Sequence, residues 1–120
     1  MKINYKKKIG ILGGSFDPSH KGHLKISIEA KKKFKINKII WAITKKNPFK
    51  SKNLFNLKKR ITIAKKITKK HNFISIRFYE DKIKSNKTID LINYLSKKNN
   101  RSKIFFLMGA DNLISFHKCH

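Results

Sequence analysis

The run Lys8-Ile9-Gly10-Ile11-Leu12-Gly13-Gly14-Ser15-Phe16-Asp17-Pro18-Ser19-His20-Lys21-Gly22-His23 passes from an apolar stretch, through paired glycines, into a polar segment that carries two histidines. Lys8 to Leu12 is too short for a helix and lacks alternation, which suits a strand buried on both faces and running into a tight turn at Gly13-Gly14. From Gly22 to Phe34 the spacing changes. Leu24 and Ile28, then Ile26, Ala30 and Phe34, recur at helical intervals, so a helix follows the turn.

Working outward, the same alternation repeats. Lys38 to Ile43 (KIIWAI) reads as a second strand, Asn47-Pro48 opens a loop, and Leu57, Ile61, Ala64 and Ile67 mark one face of a second helix. Phe73 to Phe78 alternates as a third strand. Thr88 to Lys98 predicts a third helix with Ile89, Ile92 and Leu95 on its apolar face, and Ile104 to Met108 (IFFLM) is a fourth buried strand stopped by Gly109. Strand and helix in strict alternation predict an α/β domain: a Rossmann-like, doubly wound parallel sheet with helices on both faces. No repeat or linker divides residues 1–120, which are expected to form a single domain. A further helix is expected to begin after Gly109-Ala110-Asp111-Asn112, and the sequence ends at His120 before it is complete.

Composition narrows the classes. The 120 residues carry 31 Lys and Arg against 6 Asp and Glu, a formal charge of +25, with 39% hydrophobic residues. That is enough apolar material for a core. No apolar run reaches the roughly 20 residues of a membrane span, and the N-terminus lacks a signal-peptide core, so a cytoplasmic protein is expected. The lone Cys119 excludes an internal disulfide. The charge is almost all lysine, with only Arg60, Arg77 and Arg101 as arginine, and it is spread over outer helix faces. Lys, Ile and Asn share A/T-rich codons, which accounts for much of this bias. Specific nucleic-acid recognition is not expected, because arginine forks, zinc spacing and aromatic-basic platforms are missing. A field of this sign still favours the approach of polyphosphates.

The chemistry concentrates at the first strand-to-helix turn. In a doubly wound sheet ligands bind at the carboxyl ends of the strands. Glycines there let a backbone approach phosphate oxygens, and a helix N-terminus offers unpaired N–H groups. His20 and His23 stand three apart at the helix start, so both imidazoles can face one way and bind a polyphosphate whose leaving group gains charge. Taken singly, each feature has a plainer reading: a glycine pair makes a turn, and two such histidines are commonly solvated. A metal site would need more ligands than this segment has.

The segment resembles the GG[ST]FDP-x-H-x-G-H signature of the nucleotidylyltransferase superfamily and matches every position of it. Three further stretches look like the nicotinate-nucleotide adenylyltransferase branch. Asn47-Pro48-Phe49-Lys50 is similar to its substrate loop, and Lys87-Thr88-Ile89-Asp90 to its segment before a helix. The block from Phe106-Leu107-Met108-Gly109-Ala110-Asp111-Asn112-Leu113 to Phe116-His117-Lys118 is similar to its last motif. The resemblance implies adenylyl transfer from ATP to nicotinate mononucleotide, giving deamido-NAD and pyrophosphate. Catalysis would come from positioning and charge stabilisation rather than from a protein nucleophile. It implies that His20 and His23 hold the ATP phosphates and that Gly13, Gly14, Ser15 and Phe16 line the reacting phosphate. Gly109 and Asp111 would lie near the ribose, Thr88 would meet the nicotinate carboxylate, and Lys50 would hold the mononucleotide. Mg²⁺ is implied as a companion of ATP, held by phosphates and water with no protein metal site.

Two departures accompany the match. Cys119 stands where the branch usually has Trp, and the I-S-S-T-x-[IV]-R motif that supplies further phosphate contacts is absent. A C-terminal truncation with weak or no turnover alone is therefore expected. Pantetheine-phosphate adenylyltransferase and cytidylyltransferase are the neighbouring enzyme readings, although the first usually has Thr at the position of His20. An inactive remnant and a non-specific basic nucleic-acid binder are the readings from other classes.

Overall fold

The computed structural model describes residues 7–45 and 53–107. In chain order these form β1 (Lys7–Gly14), α1 (Lys21–Phe34), β2 (Lys38–Ile43), α2 (Leu57–Ile67), β3 (Ile74–Arg77), α3 (Glu80–Ile83), α4 (Thr88–Lys98) and β4 (Ser102–Leu107). The four strands are parallel and lie in the order β3-β2-β1-β4. Side chains of successive residues leave a strand on opposite faces, so the continuous apolar runs feed two cores. Leu12, Ile39, Trp41, Ile43, Ile74, Ile76 and Leu107 build the first, against Leu24, Ile26 and Ala30 of α1 and Leu57, Ile61, Ala64 and Ile67 of α2. Ile9, Ile11, Ile40 and Ala42 build the second, against Leu91, Tyr94 and Leu95 of α4. Helices on both faces of a parallel sheet make the doubly wound α/β arrangement expected from the pattern.

The structure adjusts several expected boundaries. β1 runs on to Gly14, so the glycine pair belongs to the strand and the chain reverses after it. β3 is shorter than Phe73 to Phe78, and α3 is a single turn too brief to leave a period in the sequence. The apolar face of α4 is Leu91, Tyr94 and Leu95 rather than Ile89, Ile92 and Leu95, and Ile89 is 59% exposed. Both sets satisfy helical spacing and share Leu95. The rotation of the helix on the sheet chooses between them.

The topology places the site. β1 is central, with Leu12 aligned to Trp41 of β2 on one side and to Leu107 of β4 on the other. From β1 the chain crosses to the α1 face, and it returns to β4 from the α4 face. The gap between β1 and β4 is therefore the switch point where such sheets bind ligands. Because every crossover helix runs back against the strands, α1, α2 and α4 all start at the carboxyl edge of the sheet.

Candidate functional site

The reversal after β1 is made by Phe16. Its φ of 49° lies in the left-handed region, which costs a residue with a side chain about 1–2 kcal/mol. The ring holds it there. Phe16 is 2% exposed, stacks on Trp41 at 5.0 Å between centroids, and leans on His23 at 4.6 Å. Trp41 in turn donates its indole N–H to Ser27 Oγ at 2.9 Å, and Ser27 Oγ donates to the His23 carbonyl at 2.9 Å. A buried column thus ties the second strand to the first turn of α1. The Asp17-Pro18 peptide that follows Phe16 is cis.

His20 is the N-cap of α1, and its Nδ1 accepts from the Gly22 N–H at 3.0 Å. His23 answers from the third helical position: its Nδ1 accepts from the His20 N–H at 3.1 Å. This is a capping box built from two imidazoles in place of the usual Ser and Glu. It also sets the tautomers. With each Nδ1 acting as an acceptor, the proton of each neutral ring sits on Nε2. The rings lie 4.0 Å apart and 40° from parallel at the positive end of the helix. The first turn of α1 contains no acidic residue to offset it.

Two residues outside the expected set organise the turn. The Asp17 carboxylate accepts from the Leu54 N–H and from the Phe55 N–H, the latter at 2.7 Å. Arg60, 1% exposed, donates to the carbonyls of Ser15, Thr44, Lys45 and Phe55 at 2.7–3.0 Å. Asp17 was legible only as a signature position. Arg60 had a signal of its own: it falls on the Leu57, Ile61, Ala64 stripe, where a cation has no place unless something buried receives it.

The glycines behave differently from the sequence expectation. Neither Gly13 nor Gly14 has a positive φ, and a Cβ at either would meet its nearest neighbour at an ordinary 3.7 Å. The fold itself does not need them. Gly14→Ala is expected to leave the thermal midpoint unchanged or raised by the usual loss of unfolded-state entropy. A ligand approaching this edge of the sheet would meet bare backbone. The same variant is therefore expected to weaken Mg-ATP binding in a calorimetric titration.

Of the other expected site residues, Thr88 is exposed at the first position of α4, on the opposite sheet face from α1 and α2. The N-cap of α4, Lys87, makes no side-chain cap; Ser85 Oγ instead binds Asp90 at 2.6 Å and receives the Lys87 N–H. Lys50, Gly109 and Asp111 lie outside the described residues. Gly109 and Asp111 follow closely on Leu107, whose strand partner is Leu12. Among the described residues no three His, Cys, Asp or Glu are grouped to hold a metal ion. Burial raises the Tyr79 hydroxyl above its ordinary pKa, and a hydrogen bond with Lys82 lowers that of Tyr94; both belong to the α4 face.

A parallel sheet in this order, with a histidine-bearing helix start at its switch point, defines a Rossmann-like, doubly wound α/β domain. Comparison with known proteins narrows the class. The cytidylyltransferase-like family model matches residues 11–120, and the chain belongs to that family. It is 63% identical over 117 residues to a probable nicotinate-nucleotide adenylyltransferase of Pelagibacter ubique, covering 97% of this chain and 64% of the relative. It is 38% identical over 112 residues to a protein of the same name from Bradyrhizobium sp. strain ORS 278, covering 92% and 58%. The chain thus spans about three fifths of the length of these relatives. Among solved structures, the fold matches a Plasmodium falciparum nicotinic acid mononucleotide adenylyltransferase complexed with APC. That match has a TM-score of 0.72 and 20% identity, over 93% of this chain and 55% of that one. The same enzyme complexed with NaAD gives 0.65 and 22%, over 83% and 50%. No helix among the described residues is long and apolar enough to cross a membrane.

Proposed function

We propose that this chain carries the ATP-phosphate site of an adenylyl transfer to nicotinate mononucleotide, in NAD biosynthesis in the cytoplasm, with residues 1–120 acting as one nucleotide-binding domain. The observation that carries the reading is the pair of imidazoles at the start of α1, each accepting a backbone N–H through Nδ1 and so keeping Nε2 as its donor, beside the bare backbone of Gly13 and Gly14. In the reaction a phosphate oxygen of the mononucleotide attacks the α-phosphorus of ATP in line. The bond from that phosphorus to the bridging oxygen breaks, and pyrophosphate leaves with the electron pair. Charge grows on the departing oxygens, and two fixed N–H donors on a helix N-terminus stabilise charge that grows there. The backbone of Ser15 and Phe16 lines the reacting phosphate. Gly109 and Asp111 are assigned to the ribose, and Lys50 and Thr88 to the mononucleotide. The names of the relatives, and the ligands in the titles of the fold neighbours, support this assignment.

Mg²⁺ fits as a cation that arrives on the nucleotide. Each Asp17 oxygen accepts a backbone N–H, which commits the carboxylate to the turn and favours coordination of the cation by phosphates and water. When bound it neutralises charge on the triphosphate. The +25 charge of the chain adds a long-range attraction for such ligands.

Isothermal titration of the full chain with Mg-ATP tests the site directly. Saturable binding is expected, and the His20→Ala, His23→Ala double variant is expected to bind at least about tenfold more weakly, in line with the loss of hydrogen bonds to a charged group. A folded native chain without Mg-ATP binding, or a double variant that binds as well as the native chain, would overturn the proposal.

A further inference from the structure

Arg60 is a fully buried guanidinium for which the described residues supply no carboxylate. Its partners are four backbone carbonyls from three separate segments: Ser15 beyond β1, Thr44 and Lys45 beyond β2, and Phe55 ahead of α2. Burying a cation is costly, and an apolar side chain of similar volume usually serves stability as well or better. Its value here lies in direction. The Ser15–Phe16 peptide is trans, so its C=O and N–H point opposite ways. Nη1 of Arg60 draws the Ser15 carbonyl inward at 2.9 Å, which turns the Phe16 N–H to the side away from the guanidinium. The same nitrogen holds Thr44 at 2.7 Å, and Asp17 and Arg60 grip the N–H and the C=O of Phe55.

We propose that Arg60 is the positioning residue of the phosphate-binding turn: its fork fixes the Ser15–Phe16 peptide plane, and with it the Phe16 N–H that lines the reacting phosphate. The part of this that concerns ATP rests on the function proposed above. Lysine cannot replace the fork. Its ammonium is a compact point donor and cannot reach four carbonyls spread around a planar guanidinium. Once the Ser15 carbonyl is released, only the packing of the Phe16 ring opposes the tendency of that residue to leave the left-handed region.

The test compares the full native chain with Arg60→Lys by NMR and by titration. In Arg60→Lys the Ser15 carbonyl carbon and the HN–Hα coupling of Phe16 are expected to change, while signals from Ile39 and Ile40 stay in place. Affinity for inorganic tripolyphosphate and for Mg-ATP is expected to fall by a common factor of roughly ten, measured well below the thermal midpoint. A merely structural role would lower that midpoint and leave tripolyphosphate affinity intact. That result, or Ser15 and Phe16 signals identical to those of the native chain, overturns the proposal. A native chain that binds neither ligand refutes the ATP site alone, and the Ser15 and Phe16 signals then decide the role of Arg60. Should Arg60→Lys not fold, the native chain still answers: the two Arg60 Nη groups are expected to give separate, slowly averaging signals, and rapid averaging overturns the clamp.

Discussion

Trp41→Ala is expected to destabilise the chain strongly and to unfold at a much lower urea concentration than the native protein. Trp41 is the only tryptophan, is completely buried on the central face of β2, and carries the stacked Phe16 ring. Truncating so large a core side chain typically costs about 3–5 kcal/mol, against a total stability of about 5–15 kcal/mol for a domain of ordinary size. The loss reaches the site as well, because Trp41 braces Phe16 from below and holds Ser27 against the His23 carbonyl. Trp41→Phe keeps most of the volume and loses the indole donor and part of the ring, at a cost of about 1–3 kcal/mol, well short of the alanine variant. Urea unfolding followed by far-ultraviolet circular dichroism reads both variants without the missing fluorophore. A Trp41→Ala midpoint close to that of the native chain would mean the column from β2 to α1 is not the support described.

Gly22→Ala should separate the fold from the site. Gly22 is the second residue of α1, where alanine normally gains up to about 1 kcal/mol over glycine. Here an added Cβ would lie 2.7 Å from His20 Cε1 and 2.9 Å from His20 Nδ1. The ring is the exposed end of a side chain and gives way, so the chain still folds. In moving, His20 loses the Gly22 N–H, and a lost cap costs about 1 kcal/mol, which offsets the gain in propensity. A nearly unchanged thermal midpoint is expected. Mg-ATP affinity is expected to fall between tenfold and a hundredfold, the scale of a lost hydrogen bond to a charged group. Unchanged affinity with a displaced His20 ring would remove that residue from the site. The constraint on a side chain at position 22 is steric and comes from the His20 ring.

The parallel sheet was legible because β1, β2 and β4 are short unbroken apolar runs between amphipathic helices, and only strands covered on both faces carry such runs. The helix start was legible because Gly22 to Phe34 repeats its apolar residues at helical spacing. Where spacing permits two answers, as on α4 with Ile89, Ile92 and Leu95 or Leu91, Tyr94 and Leu95, only packing on Ile9, Ile11 and Ala42 separates them. α3 was invisible because one turn contains no period. The Gly13-Gly14 pair was read as the turn, yet the turn is Phe16, since a buried ring can hold a conformation that local propensity disfavours.

The sequence by itself determined the layer order, the place of the candidate site at the end of the first strand, and the pairing of His20 with His23, because each depends on residues close together in the chain. Only the tertiary structure decided that each histidine accepts through Nδ1, that Asp17 binds the backbone ahead of α2, and that Arg60 reaches Ser15 across 45 residues. Those outcomes depend on directions of hydrogen bonds between segments that meet only when β1, β2 and α2 pack together.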